Sequence, residues 1–125
     1  HRIEKVAPDF VICHFGFAMQ PSDLEYDIVL IPRSSLTNSK WILQNSPGLG
    51  DADFTKEYSL RFRCIPSGIE KDGDSFKLTY EDFPWSDNER VGQIYLKKKI
   101  EFEAVFVDEL VKCDRGDGYG NTGNK

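Results

Sequence analysis

Residues 93–107, QIYLKKKIEFEAVFV, constrain this chain more than any other stretch. The even positions read Ile94, Leu96, Lys98, Ile100, Phe102, Ala104 and Phe106, apolar with one fault at Lys98. The odd positions read Tyr95, Lys97, Lys99, Glu101 and Glu103 before turning apolar at Val105. Side chains on a strand alternate between faces, so this period of two marks a strand or strand pair with one dry face and one wet face. The Lys97-Lys98-Lys99 run predicts a bulge, a bend or a sheet edge within it, because an inward-pointing lysine blocks edge-to-edge pairing.

Shorter copies of the pattern fill the chain. In residues 56–65, Tyr58, Leu60, Phe62 and Cys64 share one face, and Glu57, Ser59, Arg61 and Arg63 share the other. In residues 75–82, Phe76, Leu78 and Tyr80 alternate with Lys77, Thr79 and Glu81. Residues 9–19 and 25–31 are apolar on both parities, which fits covered strands. Residues 40–44 form a short strand around Trp41. Residues 1–8 read as a lead-in, 33–38 as a polar loop and 45–54 as the longest loop. Asp72-Gly73 is a hairpin signal, since both residues tolerate positive φ.

These strands and their Gly/Pro turns predict an all-β fold: a two-layer antiparallel β-sandwich, immunoglobulin-like or jelly-roll-like, with seven to eight strands. Cys13, Trp41 and Cys64 occur in immunoglobulin order, but their spacing and Phe62 two residues before Cys64 do not fit that family. The expected core unites Val11, Phe15, Ile28, Leu30, Trp41, Tyr58, Leu60, Phe62, Phe76, Leu78, Ile100, Phe102 and Phe106. With 125 residues the chain suits one domain, residues 1–113, followed by a Gly/Asn-rich tail, 114–125, expected to be disordered. The chain opens on His1, which reads as a mature form or an excised fragment. No apolar run approaches the ~20 residues that span a bilayer. Three cysteines are too few for a disulfide framework. Cys13 and Cys64 read as buried thiols and Cys113 as an exposed one, with a bridge between any two as the alternative. The compartment stays open.

A net charge of −5 argues against nucleic-acid binding, which needs clustered Lys/Arg. No phosphate loop, zinc spacing or nucleophile constellation is present, and His14 in an apolar strand reads as a satisfied core histidine. The sequence therefore points to a soluble, acidic, non-catalytic binding module, not an enzyme, and a monomer on its own whose partner is another protein. Its surface would use Phe83 and Trp85 in a loop, with Arg61, Arg63, Lys97 and Lys99 forming a basic patch if their strands pair. No cofactor is required. Calcium is the possible exception, held by Asp51, Asp53, Asp72, Asp74 and Asp87 from several loops, with Trp85 stacking on a carbohydrate or contacting lipid. Arg115-Gly116-Asp117 resembles the tripeptide of integrin-binding loops, which would make the chain an extracellular adhesion ligand.

Overall fold

The computed structural model describes residues 1–109. Those residues form nine strands: β1 (Arg2–Ala7), β2 (Phe10–His14), β3 (Tyr26–Pro32), β4 (Trp41–Leu43), β5 (Gly48–Gly50), β6 (Ser59–Cys64), β7 (Gly68–Asp72), β8 (Ser75–Thr79) and β9 (Gly92–Lys98). A 3-10 turn, Ser34–Asn38, separates β3 from β4. Every pairing is antiparallel. One sheet runs β1-β2-β6-β4, a second β5-β3-β9, and β7-β8 stands apart as a hairpin. The fold is an all-β antiparallel sandwich. Among the described residues no helix is long and apolar enough to cross a membrane.

The alternation in β6 explains the core. Leu60, Phe62 and Cys64 are buried while Arg61 faces water. They meet Val11 and Cys13 of β2, Trp41 and Leu43 of β4, and Ile28 and Leu30 from the opposite sheet. Val29, on the other face of β3, is buried too, as a strand apolar on both parities requires. Phe83 and Trp85 then close one side of this core. Phe83 meets Trp41 edge-on at 5.1 Å between ring centroids, and Trp85 meets Phe62 at 5.9 Å. The indole N–H of Trp41 is satisfied by the backbone carbonyls of Glu81 and Asp82.

Several expectations change. Residues 1–8 are a strand rather than a lead-in, because β1 pairs with β2 along its length. The long loop contains β5, hydrogen-bonded to β3. The hairpin forms where Asp72-Gly73 stands, with Gly73 at φ 61° as the first residue of a two-residue turn. Phe76 and Leu78 are not in the core, because that hairpin leaves the body and exposes both. Ile100, Phe102 and Phe106 are not in the core either, since β9 ends at Lys98 and the following segment has no strand partner among the described residues. β9 is an edge strand, and the two lysines at its end are paired: Lys98 lies 3.4 Å from Glu25, and Lys99, the residue after the strand, 3.2 Å from Asp27. Cys13 and Cys64 are free and share one sheet instead of facing each other across two. Burial, with Asp87 adding to it, pushes the Cys13 thiol up to about 12, and burial raises Cys64 as well. His14 is half-buried, with Nε2 2.6 Å from Glu4 Oε2. The expected tail over 114–125, Cys113 and the Arg115-Gly116-Asp117 tripeptide lie outside the described residues.

Candidate functional site

The flank of β5 and β6 holds a cavity of about 250 Å³. Leu30, Leu43 and Leu60 supply apolar wall, Phe54 and Tyr58 supply aromatic rings, and Asn45, Glu57 and Arg61 supply polar groups. The backbone of Gly48, Leu49 and Gly50 forms one side. Gly50 is required by proximity: a Cβ there would come within 2.5 Å of the Tyr58 hydroxyl. Gly50→Ala is therefore expected to destabilise the fold by about 1–3 kcal/mol through overpacking, read as a lower urea midpoint at unchanged slope.

Around this cavity the carboxylates differ in occupation. Glu57 accepts the Gly16 N–H at 2.8 Å. Asp51 follows β5, is exposed, and uses only its backbone carbonyl, which accepts the Phe54 N–H at 2.9 Å. Its charge is felt at Tyr58, whose phenol is pushed up by burial first and by Asp51 second.

A second cavity of about 240 Å³ opens where β3 leaves its sheet beside β9. It is lined by Arg33, Ser34, Arg90, Gly92 and Gln93, two guanidinium residues with a hydroxyl and an amide and no carboxylate. Arg33 Nη1 donates to the Arg90 carbonyl at 3.1 Å, locking two positions 57 residues apart. Nearby Glu89 is occupied, accepting the Ser86 N–H at 2.6 Å. Leu30 of β3 lines the first cavity, and Arg33, the residue after β3, lines the second. The first cavity is walled by apolar and aromatic side chains, and the second offers guanidinium donors of the kind that suit carboxylate or phosphate oxygens.

No family model matches this sequence. The curated relatives are consistent with one another. The deoxyuridine 5′-triphosphate nucleotidohydrolase of Acinetobacter baylyi is 31% identical over 117 residues, covering 92% of this chain and 69% of that protein. The chain belongs to the deoxyuridine 5′-triphosphate nucleotidohydrolase family. The Fusobacterium nucleatum protein of that name is 34% identical over 100 residues, and the match spans 78% of this chain but only 60% of that relative. The Candida glabrata one is 29% identical over 123 residues, covering 92% of this chain and 76% of the relative.

Membership of a nucleotidohydrolase family overturns the non-catalytic binding module, the answer that the chain is not an enzyme, and the protein partner. The expected monomer falls with them. Ile100, Phe102 and Phe106 are 82%, 86% and 101% exposed, an apolar row that a self-sufficient monomer does not leave in water.

The residues expected to bind fall in separate places. Arg61 lines the first cavity. Arg63 lies across the Phe10 ring at 4.3 Å and bonds Asp9 at 2.9 Å. Lys97 is on β9, in the other sheet, and Lys99 follows the end of that strand, so the basic patch does not assemble. Phe83 and Trp85 are spent on the core rather than presented to a ligand. Asp51 and Asp53 follow β5, Asp72 and Asp74 sit at the hairpin turn, and Asp87 accepts the Ile3 N–H at 2.7 Å. Among the described residues no group of three or more His, Cys, Asp or Glu could hold a metal ion, so the calcium site is not formed there. Sequence reasoning missed Arg33, Ser34, Arg90 and Gln93 entirely. Two charged residues that bracket proline- and glycine-marked strand ends were the available signal.

Proposed function

We propose that this chain hydrolyses a deoxyuridine 5′-triphosphate. The observation that carries the reading is the presence of an arginine-lined cavity and an aromatic-walled one, in a chain whose relatives are named for that activity. The pyrimidine nucleoside is assigned to the cavity of Phe54 and Tyr58, whose aromatic rings and leucine side chains offer apolar surface to a base. Phosphate oxygens are assigned to Arg33 and Arg90, with Ser34 and Gln93 as neutral hydrogen-bonding groups. Guanidinium forks suit phosphate and stabilise the charge that develops on the transferred phosphoryl group.

Hydrolysis adds water across one phosphoanhydride bond. The water oxygen bonds to phosphorus, the bridging P–O bond breaks, and the leaving phosphate carries off the electron pair. The water must lose a proton, and Asp51 is the acceptor: it is exposed, directly follows Gly50 of the cavity wall, and is free of side-chain hydrogen bonds among the described residues. A divalent cation would arrive with the triphosphate, because magnesium is usually held by one or two carboxylates together with substrate phosphates.

The purified chain is tested with magnesium and the 5′-triphosphates of deoxyuridine, deoxycytidine, thymidine and uridine, products being separated by anion exchange. Deoxyuridine triphosphate is expected to be consumed fastest. A folded chain that leaves all four intact would end this reading.

A further inference from the structure

A further cavity, of about 340 Å³, lies between the two sheets, beside the residues that follow β2 and the start of β9. Its apolar walls are Phe15, Phe17, Leu30, Leu60, Val91 and Ile94. The fold holds these walls in place. Phe15 donates its N–H to the Tyr58 carbonyl at 3.2 Å, and the Phe17 carbonyl accepts the Tyr58 N–H at 3.1 Å. The two phenylalanine rings stack with centroids 5.7 Å apart. Leu30, Leu60 and Val91 belong to the buried core. Arg90, Gly92 and Gln93 line this cavity and the arginine-lined one as well, so Arg90 stands where the two adjoin. Its guanidinium has no ion-pair partner among the described residues. The carboxylate in the lining, Glu89, is engaged by the Ser86 N–H at 2.6 Å.

We propose that this cavity binds a medium-chain aliphatic carboxylate, with its chain among Phe15, Phe17 and Ile94 and its head group on the Arg90 guanidinium. The occupant follows from the charge at one end of an apolar space. An alkyl chain suits the walls, and removing its surface from water drives the binding. A carboxylate matches the guanidinium fork, whereas an ammonium would bring like charge to it. A preformed apolar cavity with a few polar groups gathered at one place is the usual form of a small-ligand site. Arg90 is also assigned to phosphate oxygens, so the carboxylate should compete with the triphosphate. The competition rests on the deoxyuridine triphosphate reading above, and the binding does not.

The purified chain is titrated calorimetrically, without nucleotide, with hexanoate, octanoate and decanoate below their micellar concentrations. Affinity is expected to rise roughly fourfold for each methylene buried, until the cavity is full. Octylammonium should bind roughly tenfold more weakly than octanoate, the factor expected from one charge-assisted hydrogen bond. Octanoate should raise the KM for deoxyuridine triphosphate and leave kcat unchanged. Ile94→Trp fills the cavity from β9 at a position given no part in nucleotide binding. It should lose octanoate and keep wild-type turnover. Equal binding of octanoate and octylammonium would overturn the proposal, as would affinity that ignores chain length or octanoate binding intact in folded Ile94→Trp. The ligand series uses the wild-type chain, so it decides the matter even if that variant does not fold. Turnover unmoved by saturating octanoate would overturn the placement of its head group on Arg90. Octanoate binding by a chain that hydrolyses no triphosphate defeats the functional reading alone. Turnover by a chain that binds no octanoate defeats this proposal alone.

Discussion

Asp51→Asn is expected to slow turnover of deoxyuridine triphosphate by ~10²–10⁴-fold, the span that a positioned general base contributes, while leaving the fold intact. The intact fold follows from what Asp51 does not do. Its side chain makes no hydrogen bond among the described residues, and its one structural contact, the carbonyl that accepts the Phe54 N–H, belongs to the backbone and survives the substitution. Asn is close in size but cannot take a proton from water. The defect should therefore lie in kcat, with KM nearly unmoved. A second reading is built into the neighbour. Asp51 helps hold the Tyr58 phenol above its ordinary range, because a nearby negative charge disfavours phenolate. Removing that charge should lower the Tyr58 titration toward the ordinary value, visible in the ultraviolet absorbance of tyrosinate. Turnover within a fewfold of wild type would remove Asp51 as the base.

Phe62→Ala is expected to cost about 3–5 kcal/mol, the range for emptying a buried aromatic position. Phe62 is fully buried at the centre of β6, opposite Val11 on one side and Leu43 on the other. Its ring also holds Phe83 at 5.2 Å and Trp85 at 5.9 Å. The substitution thus opens a cavity and loosens the loop that closes the core. A domain of this kind has about 5–15 kcal/mol in total, so the variant should be near the edge of folding at growth temperature. Urea titration measures it. Phe76→Ala is the contrast: its ring is 75% exposed on the hairpin, and the change should stay within about 0.5 kcal/mol. Equal costs at the two positions would mean that the burial pattern of β6 is misassigned.

That contrast also shows what alternation can and cannot reveal. Residues 58–64 and 100–106 carry nearly the same dry-face, wet-face rhythm. In β6 the rhythm is answered by β2 and β4 on either side, so the sequence reading of Leu60 and Phe62 is right. After Lys98 no strand answers it among the described residues, and Ile100 and Phe102 face outward. Periodicity states that a face needs covering, and it does not name the cover. β1 shows the reverse case. RIEKVA carries little pattern of its own and becomes a strand through pairing with β2.

The candidate site was less legible for a related reason. The sequence groups Asp51, Asp53, Asp72, Asp74 and Asp87 alike as loop carboxylates, yet Asp72 and Asp74 flank a turn that the positive φ of Gly73 explains. Arg33 and Arg90 are far apart in sequence and meet only because Pro32 pairs with Gly92 in the β3–β9 register. Tyr58 was correctly placed among the buried residues, but burial of its ring says nothing about the hydroxyl at the end of it.

The hairpin β7–β8 has a consequence for how such a chain can change over generations. It leaves the body just after Cys64 and returns at Tyr80, and its neck is cinched by the Ser67 N–H to the Thr79 carbonyl at 2.7 Å. Every residue of β7 is exposed, and β8 is exposed up to Thr79. Exit and re-entry are fixed at the same place, so the stem between them can lengthen, shorten or acquire new surface chemistry while the sandwich keeps its register. The excursion is an evolutionary free port: a site where novelty can accumulate without renegotiating the core.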